Sequence, residues 1–215
     1  MKNQDKHSNI IKAAIKVFAK NGFYNSRVSE IAKEAQVADG TVYLYFKNKD
    51  DILISLFEEE MDKIINNMKE KVEKEDNPVD KIKRFAQIHL GMVRDNRNLA
   101  EVIQVELRQS SKFMREYKNR KFIEYLNIIS RIVQEGKEQG YFGPDVMPGL
   151  VKRSYFGALD ELSTMFLFAP KSKYSINIAA EQVSLYFLSG IVKEGREDII
   201  KASEVKRGAR EFKEY

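Results

Sequence analysis

Thr41, Tyr45 and Lys49 stand four residues apart within the stretch Val37-Ala38-Asp39-Gly40-Thr41-Val42-Tyr43-Leu44-Tyr45-Phe46-Lys47-Asn48-Lys49. On a helix that spacing puts a hydroxyl, a phenol and an ammonium group on one face, the kinds of group that hold phosphate oxygens. Val42 and Tyr43 project elsewhere from the same short helix, where they can touch bases, for instance a thymine methyl. Gly40 has no side chain, so the start of this helix can come close to a duplex. Ser26 and Arg27 open an earlier helical stretch, whose dipole also attracts phosphate. The chemistry is recognition of a polyanion, with double-stranded DNA the leading candidate. The competing explanation makes Tyr43 and Tyr45 ordinary core aromatics. Two tyrosines flanking Leu44 cannot all share one face, however, so at least one is expected at the surface, with Phe46 in the core.

Catalysis finds little support. The only histidines are His7 and His89, with no cysteine anywhere, so no metal-binding pair, thiolate site or disulfide is available. No Gly-x-Ser-x-Gly, phosphate loop or Gly-x-Gly-x-x-Gly occurs. Gly136 and Gly140 read as helix-end punctuation. No catalytic residue, metal or cofactor is therefore expected.

These groups must be positioned by helices. Of 215 residues, 43% are hydrophobic and 32% charged, with four prolines and eleven glycines, and β-branched alternation is scarce. That composition suits an all-α protein. The N-terminus lacks the apolar stretch of a signal peptide, and residues 155–169 are interrupted by Asp160 and Glu161 and too short to span a bilayer; together with the absent cysteines this fits the cytoplasm. Charge is uneven. Residues 1–50 hold nine Lys/Arg against five Asp/Glu, and the remainder 28 against 27. Almost the whole excess lies on the first quarter, which favours a polyanionic partner there, although solvated helices also carry many lysines.

Ser8 is expected to cap a first helix to about residue 20, with Ile11, Ala14, Ile15 and Phe18 inward and Asn21-Gly22 ending it. Ser26 caps a second, over 28–35. Asp39 caps a third after the short connection Gln36-Val37-Ala38, so that the two form a helix-turn-helix over about 27–46, completed by the first helix. Asn48 starts a long fourth helix, with Asp51 at a capping-box position. Pro78 opens a fifth helix. Periodic apolar residues then give a sixth around 99–105 and a seventh from Phe122 to Gly140. The eighth begins at Gly143-Pro144-Asp145 and stops at Pro170, and the ninth opens at Ser175 or Asn177. Three regions follow: residues 1–50 as a three-helix DNA-binding domain, 51–195 as a larger helical domain, and 196–215 as a charged extension.

The segments Phe18-Ala19-Lys20-Asn21-Gly22-Phe23, Val28-Ser29-Glu30-Ile31-Ala32-Lys33-Glu34-Ala35 and Gly40-Thr41-Val42-Tyr43-Leu44-Tyr45-Phe46, with Lys49, closely resemble the DNA-binding domain of TetR-family transcriptional regulators. Two departures stand out. Gln36 occupies a turn position usually held by glycine, where a left-handed backbone costs roughly 1 kcal/mol. Arg27 replaces a common threonine and adds a potential phosphate contact. The resemblance implies a homodimer, usually a repressor, on a palindromic operator, with helices at about 145–169 and 175–194 forming the dimer interface. Gly157, Ala158, Ser189 and Gly190 are small enough for close helix approach there, or for intrachain packing.

Leu99-Ala100, Glu106-Leu107-Arg108-Gln109-Ser110 and Phe156-Gly157-Ala158-Leu159-Asp160-Glu161 further resemble the FadR-type repressors of fatty-acid metabolism in Bacillus-like bacteria. That resemblance implies long-chain acyl-CoA as an effector that releases DNA. An acyl chain needs an apolar lining, for which Phe85, Ile88, Met92, Val102, Val105, Tyr125, Phe156 and Met165 are candidates, although such residues also make plain core. Gln104 and Arg108 share a helix face, with Lys112, Arg115 and Arg120 following, and could meet CoA phosphates. Two other functions compete: a multidrug-type sensor controlling an efflux transporter, using Asp160 and Glu161 for cationic ligands, and a helical adaptor that binds protein alone. The adaptor leaves the basic head and its tyrosines unexplained. The mechanism implied is a two-state clamp, in which the effector favours a separation of the two heads that no longer fits the operator.

Overall fold

The computed structural model describes residues 2–106, 120–169, 173–196 and 198, with only the backbone of 2–5 and 106. Among the described residues there are nine α-helices, one π-helical turn and no strand. None of these helices is long and apolar enough to cross a membrane. The chain packs as two compact units, one of Met1–Ile64 with Met92–Lys121 and the other of Ile65–Gly91 with Phe122–Tyr215.

The first unit is built on α1 (Lys2–Asn21), which buries Ile10, Ile11, Ala14 and Phe18. The helix starts well before Ser8, which therefore sits within it instead of capping it. Gly22 takes the positive φ of 78° that ends the helix, and Phe23 turns back against the Phe18 ring at 5.5 Å. Next come α2 (Val28–Glu34) and α3 (Asp39–Tyr43), with Ile31, Ala32 and Val42 facing the α1 stripe from the core. The caps differ from expectation by one residue each. Arg27, not Ser26, is the N-cap of α2, its backbone N–H donating to the Glu30 carboxylate at 2.8 Å; Ala38, not Asp39, precedes α3.

Gln36 adopts a φ of 57°. Val37 N–H donates to Ala32 O at 3.0 Å and Gln36 N–H to Lys33 O at 3.1 Å, so α2 ends in a Schellman motif with a non-glycine residue in its left-handed position. Gln36→Gly removes a strain of roughly 1–2 kcal/mol and adds unfolded-state entropy worth somewhat less. The substitution is therefore expected to stabilise the protein by about 0.5 kcal/mol in chemical denaturation.

The helix α4 (Lys49–Val72) is capped by Asn48 as expected, but the Asp51 carboxylate turns to the N–H of Lys47 instead of closing the capping box on that of Asn48. Asn48 Oδ1 accepts Asp51 N–H at 2.9 Å, and Asp51 accepts Lys47 N–H at 2.8 Å. After α5 (Pro78–Asp95), the short α6 (Arg97–Glu101) is capped by the Asn96 side chain and runs directly into a π-helical turn, Val102–Glu106. Both α6 and this turn pack against α1.

In the second unit, the Lys81 ammonium lies between Glu73 at 3.2 Å and Glu135 at 2.9 Å. Burial alone would disfavour its charge, but the hydrogen bonds to the two carboxylates outweigh that and raise its pKa. α7 (Arg120–Glu138) ends in a second Schellman motif, with Gly140 at φ 71° and Tyr141 N–H on Gly136 O at 2.8 Å. Gly140 is thus the punctuation read from sequence, whereas Gly136 lies inside the helix and seats the Phe142 ring. α8 (Pro148–Phe168) begins at Pro148, later than Gly143-Pro144-Asp145, with proline at its favoured first position. Ser175 caps α9 (Ile176–Ile191) through a 3.2 Å bond from Ile178 N–H. Pro170 and most of the 196–215 extension lie outside the described residues.

Candidate nucleic-acid interface

The surface of the helix-turn-helix follows from what its core consumes. Val42 is 0% exposed and Phe46 is buried, which turns the opposite side of α3 outward. Tyr43 is 57% exposed and Leu44 82%, while Arg27, Gly40 and Lys47 are also at the surface. Thr41 and Tyr45 are half-buried, the Tyr45 ring resting against His7 at 5.8 Å. The phenol of Tyr43, the open backbone of Gly40 and the cations of Arg27 and Lys47 are therefore all accessible.

Three expected contacts fall elsewhere. Val42 packs inside and cannot offer its side chain to a base. Ser26 is buried, its hydroxyl donating to Gly22 O at 2.6 Å and lying 3.3 Å from Val17 O, so it ties the α1–α2 corner together instead of meeting phosphate. Lys49 belongs to α4, because α3 stops at Tyr43, and so is not on one helical face with Thr41 and Tyr45. Its ammonium donates to three carbonyls, Phe23 O at 2.6 Å, Tyr24 O at 2.9 Å and Ser26 O at 2.9 Å, and lies 4.7 Å from the Phe23 ring centroid. All three protons are used, so Lys49 clamps the corner that presents Arg27; burial lowers its pKa. Leu44 and Lys47 were not anticipated. Their signal is the burial of Val42 and Phe46, which fixes the outer face of the turn.

Gly40 gains meaning from its surroundings. Its φ is not in the left-handed range, and a Cβ there would meet nothing within 4 Å. Neither conformation nor packing within the chain requires glycine at this position.

Of the expected ligand-lining residues, the second unit brings three together. The Phe85 ring lies 5.2 Å from Tyr125, and Tyr125 lies 6.4 Å from Phe156, with Phe122 edge-on to Phe156 at 5.0 Å. Ile88 and Met165 are half-buried in the same unit. Met92, Val102, Gln104 and Val105 belong to the first unit, at the end of α5 and in the π turn, with Val102 and Gln104 buried. Arg108, Lys112 and Arg115 lie outside the described residues, and Arg120 is exposed at the start of α7. Among the described residues, no cluster of three or more His, Asp or Glu could hold a metal ion.

Amid these rings sits a residue that sequence reasoning left unassigned. His89 is 3% exposed, with Nδ1 2.7 Å from the Tyr125 hydroxyl and its ring near Phe85, Tyr125 and Phe156. Burial lowers its pKa to about 4, against a smaller opposing pull from Asp160, and burial pushes the Tyr125 phenol well up. The signal was an imidazole at i+4 from Phe85 on an otherwise apolar stripe. Because the unfolded chain binds this proton near pH 6.5 and the folded one near 4, stability falls as pH drops between those values. The expected loss is about 3 kcal/mol. Denaturation curves at pH 7 and pH 4.5 check this, and His89→Phe should remove most of the difference attributable to histidine.

Comparison with known proteins matches residues 10–56 to the N-terminal domain of the bacterial regulatory proteins of the tetR family, and residues 57–190 to the C-terminal region of YsiA-like proteins. A fatty acid metabolism regulator protein of Bacillus subtilis is 40% identical over 186 residues, covering 86% of this chain and 95% of that one. The crystal structure of the Bacillus subtilis transcriptional regulator FadR in complex with stearoyl-CoA aligns with a TM-score of 0.79, at 40% identity over 86% of this chain and 98% of that one. The fatty acid degradation regulator FadR of Bacillus halodurans aligns with a TM-score of 0.80, at 37% identity over 86% and 95%.

Proposed function

Because the chain belongs to the TetR family of bacterial transcriptional regulators, we propose that it is a homodimeric repressor of fatty-acid degradation genes, released from a palindromic operator by long-chain acyl-CoA. The observation that carries the ligand reading is identity of 40% across 86% of the chain to a regulator crystallised with stearoyl-CoA. The aromatic cluster of Phe85, Tyr125 and Phe156 supports it, since an acyl chain needs such a lining. Its work is binding in the cytoplasm, not turnover.

The DNA contacts follow from these accessible groups of the helix-turn-helix. Tyr43 and Leu44 face bases, Arg27, Thr41, Tyr45 and Lys47 hold phosphates, and Gly40 admits the backbone. Two such heads on a two-fold axis read half-sites about one helical turn apart. Selection from random duplex DNA should return a palindrome with that spacing; sequences without two-fold symmetry would contradict the dimeric reading.

The dimer face lies on α8 and α9. Leu150, Ser154, Gly157 and Glu161 make one exposed stripe on α8, and Ile178, Tyr186, Ser189 and Gly190 another on α9. Added Cβ atoms at Gly157 and Gly190 would meet nothing within 4 Å, so both small residues face open surface and not the chain's own packing. Tyr186, 69% exposed on this stripe, is an anchor of the kind that dominates interfaces. Tyr186→Glu should shift the protein to monomer in sedimentation and weaken operator binding at least about 10-fold.

A further inference from the structure

His89 carries more than a packing role. Its Nε2 is buried and has no hydrogen-bond partner among the described residues. The same environment fixes which kind of group is missing. If the Tyr125 hydroxyl donates to Nδ1, the neutral ring carries its proton on Nε2 and one donor is left unsatisfied. If Nδ1–H donates to the phenol oxygen instead, both Nε2 and the phenolic proton lack partners. The first arrangement leaves fewer buried groups unpaired, so it prevails, and Nε2–H is an orphan donor in search of an acceptor.

The surroundings restrict that acceptor. Phe85, Tyr125 and Phe156 enclose the imidazole, and the nearby charge is the Asp160 carboxylate. An anion would be desolvated by rings and repelled by Asp160, so the acceptor is neutral. Ser163 Oγ, on the same side of α8 two turns beyond Phe156, is also buried and unpartnered. A helical serine can rotate toward its own chain's carbonyls, whereas an imidazole fixed by Tyr125 and by the Phe85 and Phe156 rings cannot. Of these two orphans, both lying by the aromatic cluster, the one on His89 is therefore the one that calls for a ligand.

We propose that His89 Nε2–H is the polar contact that receives the thioester carbonyl of the acyl-CoA effector, with Tyr125 positioning the imidazole. This rests on the acyl-CoA reading above. The thioester carbonyl is the neutral acceptor adjoining the acyl chain, and it distinguishes the ligand from a free fatty acid, whose carboxylate this environment rejects. His89 is thus a specificity-determining residue for the ester form of the fatty acid.

The test compares stearoyl-CoA with S-octadecyl-CoA, a thioether of closely similar shape that lacks the carbonyl, by titration calorimetry on wild type, His89→Phe and His89→Gln. Wild type should prefer stearoyl-CoA about 10-fold. His89→Phe should bind both ligands equally, at the thioether's wild-type affinity, and His89→Gln, which keeps a donor, should retain part of the preference. A melting curve for each variant reports folding; His89→Phe removes the unsatisfied Nε2–H but takes the acceptor from the buried Tyr125 hydroxyl, so at pH 7 it should melt close to wild type. Equal binding of the two ligands by wild type, or an undiminished preference in His89→Phe, overturns the assignment. Binding of neither ligand by wild type overturns the acyl-CoA reading itself.

Discussion

Gly40→Val should lower operator affinity about 100-fold while leaving the protein as stable as before. Nothing within the chain lies within 4 Å of a Cβ at Gly40, its φ is not left-handed, and valine is no worse than glycine inside a helix. The cost appears only when another molecule occupies that space. At a cost comparable to one mismatched base pair, about 1–2 kcal/mol per half-site, the obstruction is incurred twice by a dimer. Anisotropy on the selected operator, paired with a denaturation curve, checks both halves. An unchanged affinity would place the DNA backbone elsewhere, and a lost fold would show that Gly40 serves packing.

Gly136→Ala should have the opposite character, costing about 3 kcal/mol of stability in the second unit. The added Cβ would lie 2.1 Å from Cδ2 of the Phe142 ring. The ring cannot easily withdraw, because Phe142 N–H donates to Gly136 O at 3.0 Å and its neighbours are tied to the end of α9 through Gly143 N–H on Ile191 O and Lys193 N–H on Tyr141 O. Combining the change with Phe142→Leu should recover more than 1 kcal/mol, since the two positions share one contact. Additive losses would deny that the clash is the cause.

The contrast between these glycines shows what the sequence made legible. Among the described residues the α-helices followed from apolar spacing, the π-helical turn Val102–Glu106 did not, and the positive φ of Gln36 followed from the glycine usual at that turn in the family it resembles. The caps slipped by a residue because Ser26 and Asp39 are good capping types, while tertiary packing drew the Ser26 hydroxyl back to Gly22. Lys49 was misread for a related reason. The i, i+4, i+8 pattern presumes one continuous helix, and the chain turns after Tyr43, leaving the ammonium facing three carbonyls of the preceding corner. Gly136 resembles Gly140 in sequence, and only the position of the Phe142 ring separates a packing glycine from a helix stop. His89 could not be assigned from its spacing, because its role depends on a partner at Tyr125, 36 residues away, and on the nitrogen that partner leaves unused.

The central claim is coupling between an acyl-CoA site and an operator-binding head. The most direct measurement is the anisotropy of a fluorescent operator bound to the protein as stearoyl-CoA is added, with free CoA, stearate and a cationic dye titrated in parallel. Release requires that the effector bind the DNA-incompetent state more tightly, by about 5 kcal/mol for a near-complete shift. Stearoyl-CoA alone should release the operator, with a midpoint that follows its own affinity. Release by the dye alone would make the protein a drug sensor, and an operator held equally well at saturating stearoyl-CoA would contradict the account.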